Sequence, residues 1–454
     1  MRPKHTRDSM NKKKVLHITP HFGGGVGSVL MSLVLNLHKR DDFEQEIVSL
    51  EYANEKAKNW SNANGIKIYD KVSPVDNRLH EKMRNRDIVH IHFWNHPLLY
   101  QLLYSFSGRK TRVVIWSHVN GHYAPYLFND AILDFPEIFV TTTNFSLTQK
   151  DITKRSSDWK SRHIRSIPSC SGLNEFDKIE PVPHDTFNIG YTGTVDYCKI
   201  HPDFIEMFNK ADIPNVQYII VGGDSHKSME EEARVKGCIN KLKFIGKVSN
   251  VKEYLAEFDV FAYPLQRENY GTGEQVLIEA MCAGIPQVVF ADGPEEYVVQ
   301  DGITGFVANS KKEFIEAIQK LYSNDSLRRK MSAASKKYAK ENFTIDRPVK
   351  SWLEIYQELL SHPKSECIFK KFESTEDLAV SLFLLALGEC DASRIYKEIL
   401  LHYPDDVPLE LSEKAARLPQ IFNGNTRGSI KHYSSFFDNE KLKAVKKRDA
   451  GLSL

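Results

Sequence analysis

Short β-branched or apolar runs alternate with longer stretches of helical period over most of this chain, and few folds accept that alternation. It reads as parallel strands joined by crossover helices, an α/β class. Strands are expected at 15–19, 47–50, 66–69, 88–92, 113–116 and 138–141. After the first of them Val29, Leu30, Leu33, Val34 and Leu37 recur at three- and four-residue steps, predicting an amphipathic helix. The stretch GLNEFDKIEPVPHDT holds two prolines and no helical period, and marks a domain boundary. A second series of strands follows at 187–191, 216–221, 242–245, 260–262 and 286–290, so two Rossmann-like halves of similar size are expected. Residues 311–360 read as helices, with Phe314, Ile315, Ile318 and Leu321 on one face, packing around the second half and crossing back to the first. The apolar runs at 378–387 and 395–403 suggest a small helical appendage. The expected domains are therefore 1–175, 176–360 and an extension, 361–454.

The 454 residues suffice for two or three domains, each with a core of its own. Lys and Arg total 61 against 59 Asp and Glu, a net charge of +2, which removes the simplest case for nucleic-acid binding. The six cysteines are scattered without a C-x-x-C pair and read as reduced thiols of a cytoplasmic protein. The basic start MRPKHTRDSMNKKK runs directly into a short strand, without the apolar stretch of a signal peptide. The longest uncharged apolar run is far shorter than the roughly 20 residues that span a bilayer.

Two glycine loops carry the chemical signal. In HITPHFGGGVGSVL a strand runs into Gly23, Gly24, Gly25 and Gly27 and then a helix, a turn at which backbone N–H groups can approach a phosphate or sugar. A plain tight turn is the alternative. The dinucleotide fingerprint G-x-G-x-x-G is not matched, and no acidic residue is placed to hold a ribose after the second strand, which speaks against a nicotinamide cofactor. In DVFAYPLQRENYGTGEQVLIEAMCAGIPQVVF a strand ends at Tyr263, a polar loop follows, and a helix starts near Glu274. Free amides of Gly271, Thr272 and Gly273 at that helix end would hold a diphosphate, and Glu279 would reach ribose hydroxyls. Read alone, Glu279 is an ordinary exposed helix glutamate.

IEAMCAGIPQVV with DGITGF downstream, KFIGKVSNVKEYLAEFDVFAYP, IGYTGTVDYCKIHPDF, DIVHIHFW and VVIWSHVNGH together resemble the retaining GT-B glycosyltransferases of the "glycosyl transferases group 1" type, over roughly residues 13–360. The resemblance implies two Rossmann-like domains facing a cleft, with the sugar nucleotide held mainly by the second. Glu279 matches the second glutamate of the family's E-x7-E motif. The first falls on Gly271, and Glu274 in the same loop is the side chain available in its place. Lys199 matches the lysine that faces the donor diphosphate, and the arginine beside it is replaced by Thr194. Gly24 and Gly25 match the paired glycines of the first loop, and His118 the histidine near the transferred sugar. Main chain at Lys247 and Val248 matches the base-binding segment. His118, Lys199 and Glu274 are thus the catalytic candidates, and Trp94, Asn95 and His122 frame the acceptor. His90 and His92 are set on opposite faces of their strand, and neither is read as a ligand.

The resemblance implies transfer of a hexosyl unit, with retention, from a UDP- or GDP-linked sugar to a hydroxyl of a glycan or lipid-linked acceptor. No cofactor beyond that substrate is expected. Asp-x-Asp is absent, so no metal is expected to hold the diphosphate. A non-catalytic scaffold, suggested by Gly271 and Thr194, and a sugar-nucleotide epimerase or hydrolase on the same fold are the rivals. The C-terminal helices are a candidate protein-partner surface. Lys441, Lys443, Lys446, Lys447 and Arg448 near the end read either as a solvated helix face or as a peripheral contact with anionic headgroups of the inner leaflet.

Overall fold

The apolar run expected at 15–19 grows into a ten-residue strand, β1 (Lys13–Phe22), buried from Val15 to its end. A strand covered on both faces reads as a near-continuous apolar run, which is how a parallel sheet between helices is recognised; His17, Thr19 and His21 are the buried polar exceptions in β1. The structure is a computed structural model that describes residues 12–40, 42–169, 173–223, 226–272, 275–370, 377–403 and 407–449. Contacts divide it into two compact units: one holds the residues up to Thr141, Gln149–Ile167 and those from Val349 onward, the other Thr142–Thr148 and Pro168–Pro348.

In the first unit β1 is followed by β2 (Phe43–Ala53), β3 (Lys67–Tyr69), β4 (Ile88–Phe93), β5 (Arg109–Thr111), β6 (Val113–Ser117), β7 (Ile138–Thr141) and β8 (Ile164–Ser166). Seven of these form a parallel sheet in the order β3-β2-β1-β4-β6-β7-β8. The chain builds outward from β1 and then returns to its other side as β4. That reversal opens a crevice at the carboxyl ends of β1 and β4, where ligands of open α/β sheets bind. The helix Gly24–His38 leaves β1 through the glycine loop and buries Val29, Leu30, Leu33, Val34 and Leu37, as the spacing predicts.

The second unit holds β9 (Phe187–Thr192), β10 (Val216–Val221), β11 (Leu242–Gly246), β12 (Val260–Tyr263), β13 (Gln287–Phe290) and β14 (Gly305–Ala308), again parallel, in the order β11-β10-β9-β12-β13-β14. Its reversal lies between β9 and β12. Helices Lys311–Ser323 and Asp325–Asn342 cover this sheet, with Phe314, Ile318, Leu321 and Met331 in its core.

The segment expected as an extension from 361 onward, together with the end of the helix Asp346–Ser361, belongs to the first unit. A last strand, β15 (Ser365–Cys367), pairs antiparallel with β5. The helix Leu378–Leu387 buries Val380, Leu382, Phe383, Ala386 and Leu387 and packs on the helix Pro97–Phe106. A helix apolar on nearly every side cannot stand in water, so it completes a core that the first 167 residues leave open. No helix among the described residues is long and apolar enough to cross a membrane.

Candidate active site

At the carboxyl edge of the second sheet three strand ends are drawn together by glycine. Gly193 N–H donates to the Val221 carbonyl at 3.0 Å and Gly222 N–H to that of Gly246 at 2.8 Å. Gly222 sits at φ +121°, and a Cβ there would lie 2.0 Å from the Gly193 oxygen, so no other residue fits. Lys199 follows in the loop after β9 and is buried. Its ammonium lies over two aromatic rings, 5.5 Å from the centroid of Tyr263 and 5.9 Å from that of Tyr270. Its carbonyl accepts from Gln266 N–H at 2.9 Å, which ties the β9 loop to the β12 loop.

The β12 loop is shaped by Asn269, a buried side chain that accepts from Gly271 N–H at 2.7 Å and donates to the Gln266 carbonyl at 2.6 Å. The Gly271 amide expected to be free is thus engaged in an Asx turn. Thr272 is half-buried beside it, while Gly273 and Glu274 lie outside the described residues. The helix Gln275–Ala283 carries Glu279, half-buried, whose carboxyl is pushed up to about 7 by desolvation, with Gln275 one turn earlier opposing the shift. Lys247 is exposed and Val248 half-buried, just beyond β11. Lys199, Gly271 and Glu279 therefore belong to one edge, at the point where strand order reverses. Asn269, Tyr263 and Tyr270 were not singled out from sequence, although Asn two residues before Gly is a recognisable turn signal.

The corresponding edge of the first unit carries the other candidates. Gly24, at φ +63°, and Gly25 are exposed, with nothing within 4 Å of where a Cβ would be. Trp94 is buried against His21, with Arg427 5.8 Å above its ring. Asn95 is buried as well: it donates to the Pro125 carbonyl and accepts from Tyr433 Oη at 2.8 Å. His122 is half-buried, its N–H held by Asn120 Oδ1 at 2.9 Å. His96 Nε2 lies 3.2 Å from Glu51 Oε2, and His432 crosses its ring at 4.8 Å. Burial and the charge of Arg427 push His21 down to about 3, against the pull of Glu51.

His118 joins a buried column of histidines. His90 and His92 share a face of β4, not opposite faces, because side chains alternate and residues two apart point the same way; their rings stack at 4.5 Å. His17 stands opposite His90 on β1. His17 Nε2 is 2.7 Å from Gln45 Oε1, His17 Nδ1 is 3.1 Å from His92 Nε2, and His92 Nδ1 is 3.0 Å from His118 Nε2. His90 Nδ1 meets Tyr356 Oη at 2.8 Å, and Trp352 lies tilted against its ring at 4.2 Å. Ring nitrogens of His17, His90 and His92 lie within 4.8 Å of one another, a spacing at which three imidazoles could also share a cation, but His17 and His92 hold each other with those atoms. Desolvation holds His17 down to about 4 and His118 to about 3, and His92 well below its ordinary value.

Two doubly wound units, the second with a buried lysine at its switch point, are the make-up of the GT-B fold. The family profile described as "Glycosyl transferases group 1" matches residues 174–338. N-acetyl-alpha-D-glucosaminyl L-malate synthase of Bacillus anthracis is 30% identical over 325 residues, 64% of this chain and 81% of that protein. The chain therefore belongs to the glycosyl transferases group 1 family. Among solved structures, HepE of Anabaena in complex with UDP aligns at a TM-score of 0.62 and 16% identity, over 76% of this chain and all of the other. A glycosyltransferase of Rickettsia africae aligns at 0.63 and 18%, over 78% of this chain and all of the other.

Proposed function

We propose that this glycosyltransferase moves a hexosyl unit from a nucleotide diphosphate sugar, UDP- or GDP-linked, to a hydroxyl of a glycan or lipid-linked acceptor, with retention at the anomeric carbon and without a metal ion. The observation that carries the reading is Lys199, fixed over Tyr263 and Tyr270 at the edge that also holds Glu279. A cation held in place there stabilises the diphosphate leaving group as its charge grows, and costs no reorganisation during the reaction. Glu279 takes the ribose hydroxyls, main chain at Lys247 and Val248 the base, and Thr272, Gly273 and Glu274 the diphosphate and sugar. The UDP and UDP-glucose complexes of HepE support a uridine donor. The first unit supplies the acceptor side, with Gly24, Gly25 and His118 assigned there by the family pattern and His122 lining it over the buried Trp94 and Asn95. In a front-face mechanism the leaving phosphate accepts the acceptor proton, so no protein general base is required. The protein acts in the cytoplasm, with the C-terminal lysines bringing it to the inner leaflet.

The test is calorimetric titration with UDP, GDP, ADP and their common sugars, with and without EDTA, alongside Glu279→Ala. Metal-independent binding of one nucleotide, lost in the variant, is expected. Absence of binding by any of them would favour the scaffold reading, which the replacement of the family's glutamate and arginine by Gly271 and Thr194 would then explain.

A further inference from the structure

The bonds that link Gln45, His17, His92 and His118 have a direction. A neutral imidazole has one N–H and one bare nitrogen, and burial keeps these three rings neutral. The carbonyl oxygen of Gln45 has no proton to give, so His17 donates to it through Nε2 and keeps a bare Nδ1. That bare nitrogen must receive a proton from His92 Nε2, which leaves His92 Nδ1 bare. His92 Nδ1 in turn receives from His118 Nε2. His118 emerges with its proton turned inward and its Nδ1 lone pair at the half-buried end of the column.

We propose that Gln45, His17 and His92 are positioning residues that lock His118 into a single tautomer, so that it meets its ligand only as a hydrogen-bond acceptor, at Nδ1, for a hydroxyl group. This builds on the reading of His118 as the histidine that faces the transferred sugar. A sugar hydroxyl can give a proton to such a nitrogen, whereas a carbonyl or phosphate oxygen, which can only accept, is turned away. The column thus sorts ligands by donor character through a choice made about three side chains away. The device has one point of reversal. Gln45 Nε2 has no partner among the described residues, and an amide turned by half a revolution would donate to His17, reverse every bond and make His118 a donor.

The experiment is ¹⁵N spectroscopy of the full chain labelled at histidine, near neutral pH and without nucleotide, reading the imidazole shifts and the nitrogen–nitrogen couplings across hydrogen bonds. Couplings from His17 Nδ1 to His92 Nε2 and from His92 Nδ1 to His118 Nε2 are expected, with the proton on Nε2 in all three rings. Gln45→Glu, whose carboxylate can only accept, should keep that pattern. Gln45→Leu, which removes the acceptor at similar volume, should draw the two His118 shifts toward each other as both tautomers populate. A proton on His118 Nδ1, absence of the couplings in the native protein, or unchanged His118 shifts in Gln45→Leu overturns the proposal. The native spectrum decides even if a variant fails to fold. Because no sugar nucleotide is present, failure of the donor titration is a separate result.

Discussion

Glu279 is pulled between burial, which favours the protonated carboxyl, and its proposed role at the ribose, which favours the charge. In the fold it keeps its proton up to about pH 7, against about 4.5 for the ordinary group. The folded state therefore binds more protons between those values, and stability falls as pH rises through that window and levels off above it. Glu279→Gln removes this dependence. Relative to the native protein the variant should gain about 3 kcal/mol between pH 4.5 and 8 in urea titrations. Nucleotide affinity should move the other way, rising in the native protein as pH passes 7 and staying flat in the variant, because an ionised carboxylate accepts ribose hydroxyls more strongly. Gly222 gives a second residue-scale prediction. Alanine there meets the Gly193 carbonyl, so Gly222→Ala should cost about 3 kcal/mol or more and weaken nucleotide binding through the displaced Gly193 turn. Glu279 was singled out because a helix directly after a glycine loop is a local signal, and Lys199 because it matches the family pattern. The histidine column could not be placed from sequence, because it depends on the register of β1 against β4 and on Gln45 from a third strand.

At the scale of elements, most strands with their own apolar run were recognisable, β14 being the one missed, and those whose pairing comes from a neighbour were not. The segments RKT, IRS and SEC that form β5, β8 and β15 are three residues long and carry no apolar run. They are strands because another edge offers them hydrogen bonds. The helix Ile430–Phe436 is likewise explained by what it touches, since Tyr433 reaches Asn95 in the loop after β4. Tyr433→Phe leaves the Asn95 oxygen buried without that partner and should cost about 1–3 kcal/mol. A double-mutant cycle with Asn95→Ala should return a coupling of about 1 kcal/mol, measured by denaturant unfolding. Lys443 at the following helix pairs with Glu440 at 3.1 Å and with Asp438, so part of the basic run read as a headgroup contact is already neutralised within the chain.

For the molecule as a whole, the alternation of strand and helix was enough to read two doubly wound sheets, and the reversal of strand order locates the crevices. What alternation could not supply is the partner of each apolar face, and so the last hundred residues read as an appendage. They are part of the first unit's core, which changes what truncation does. A chain stopped at residue 360 loses Val380, Leu382, Phe383, Leu387 and Tyr433 from that core. Calorimetric scanning of the truncated protein should show the transition of the second unit alone, without a cooperative transition for the first. Membrane docking is therefore better probed by charge reversal at Lys441 in vesicle sedimentation than by deletion.

The same interrupted layout bears on how the protein is made. The second unit is nearly continuous in sequence, whereas the first begins before it and finishes after it. A ribosome moving at about 5–20 residues per second would release the second unit while the first still lacks its closing helices, an interval of roughly 5–20 s. Until Trp352 and Tyr356 emerge, His90 lacks the two side chains that cover it in the fold. The chain's first strand is thus among the last to be sealed, and nascent protein stalled before its final helices would carry a finished second unit and an unfinished first one, the species a chaperone would be expected to hold.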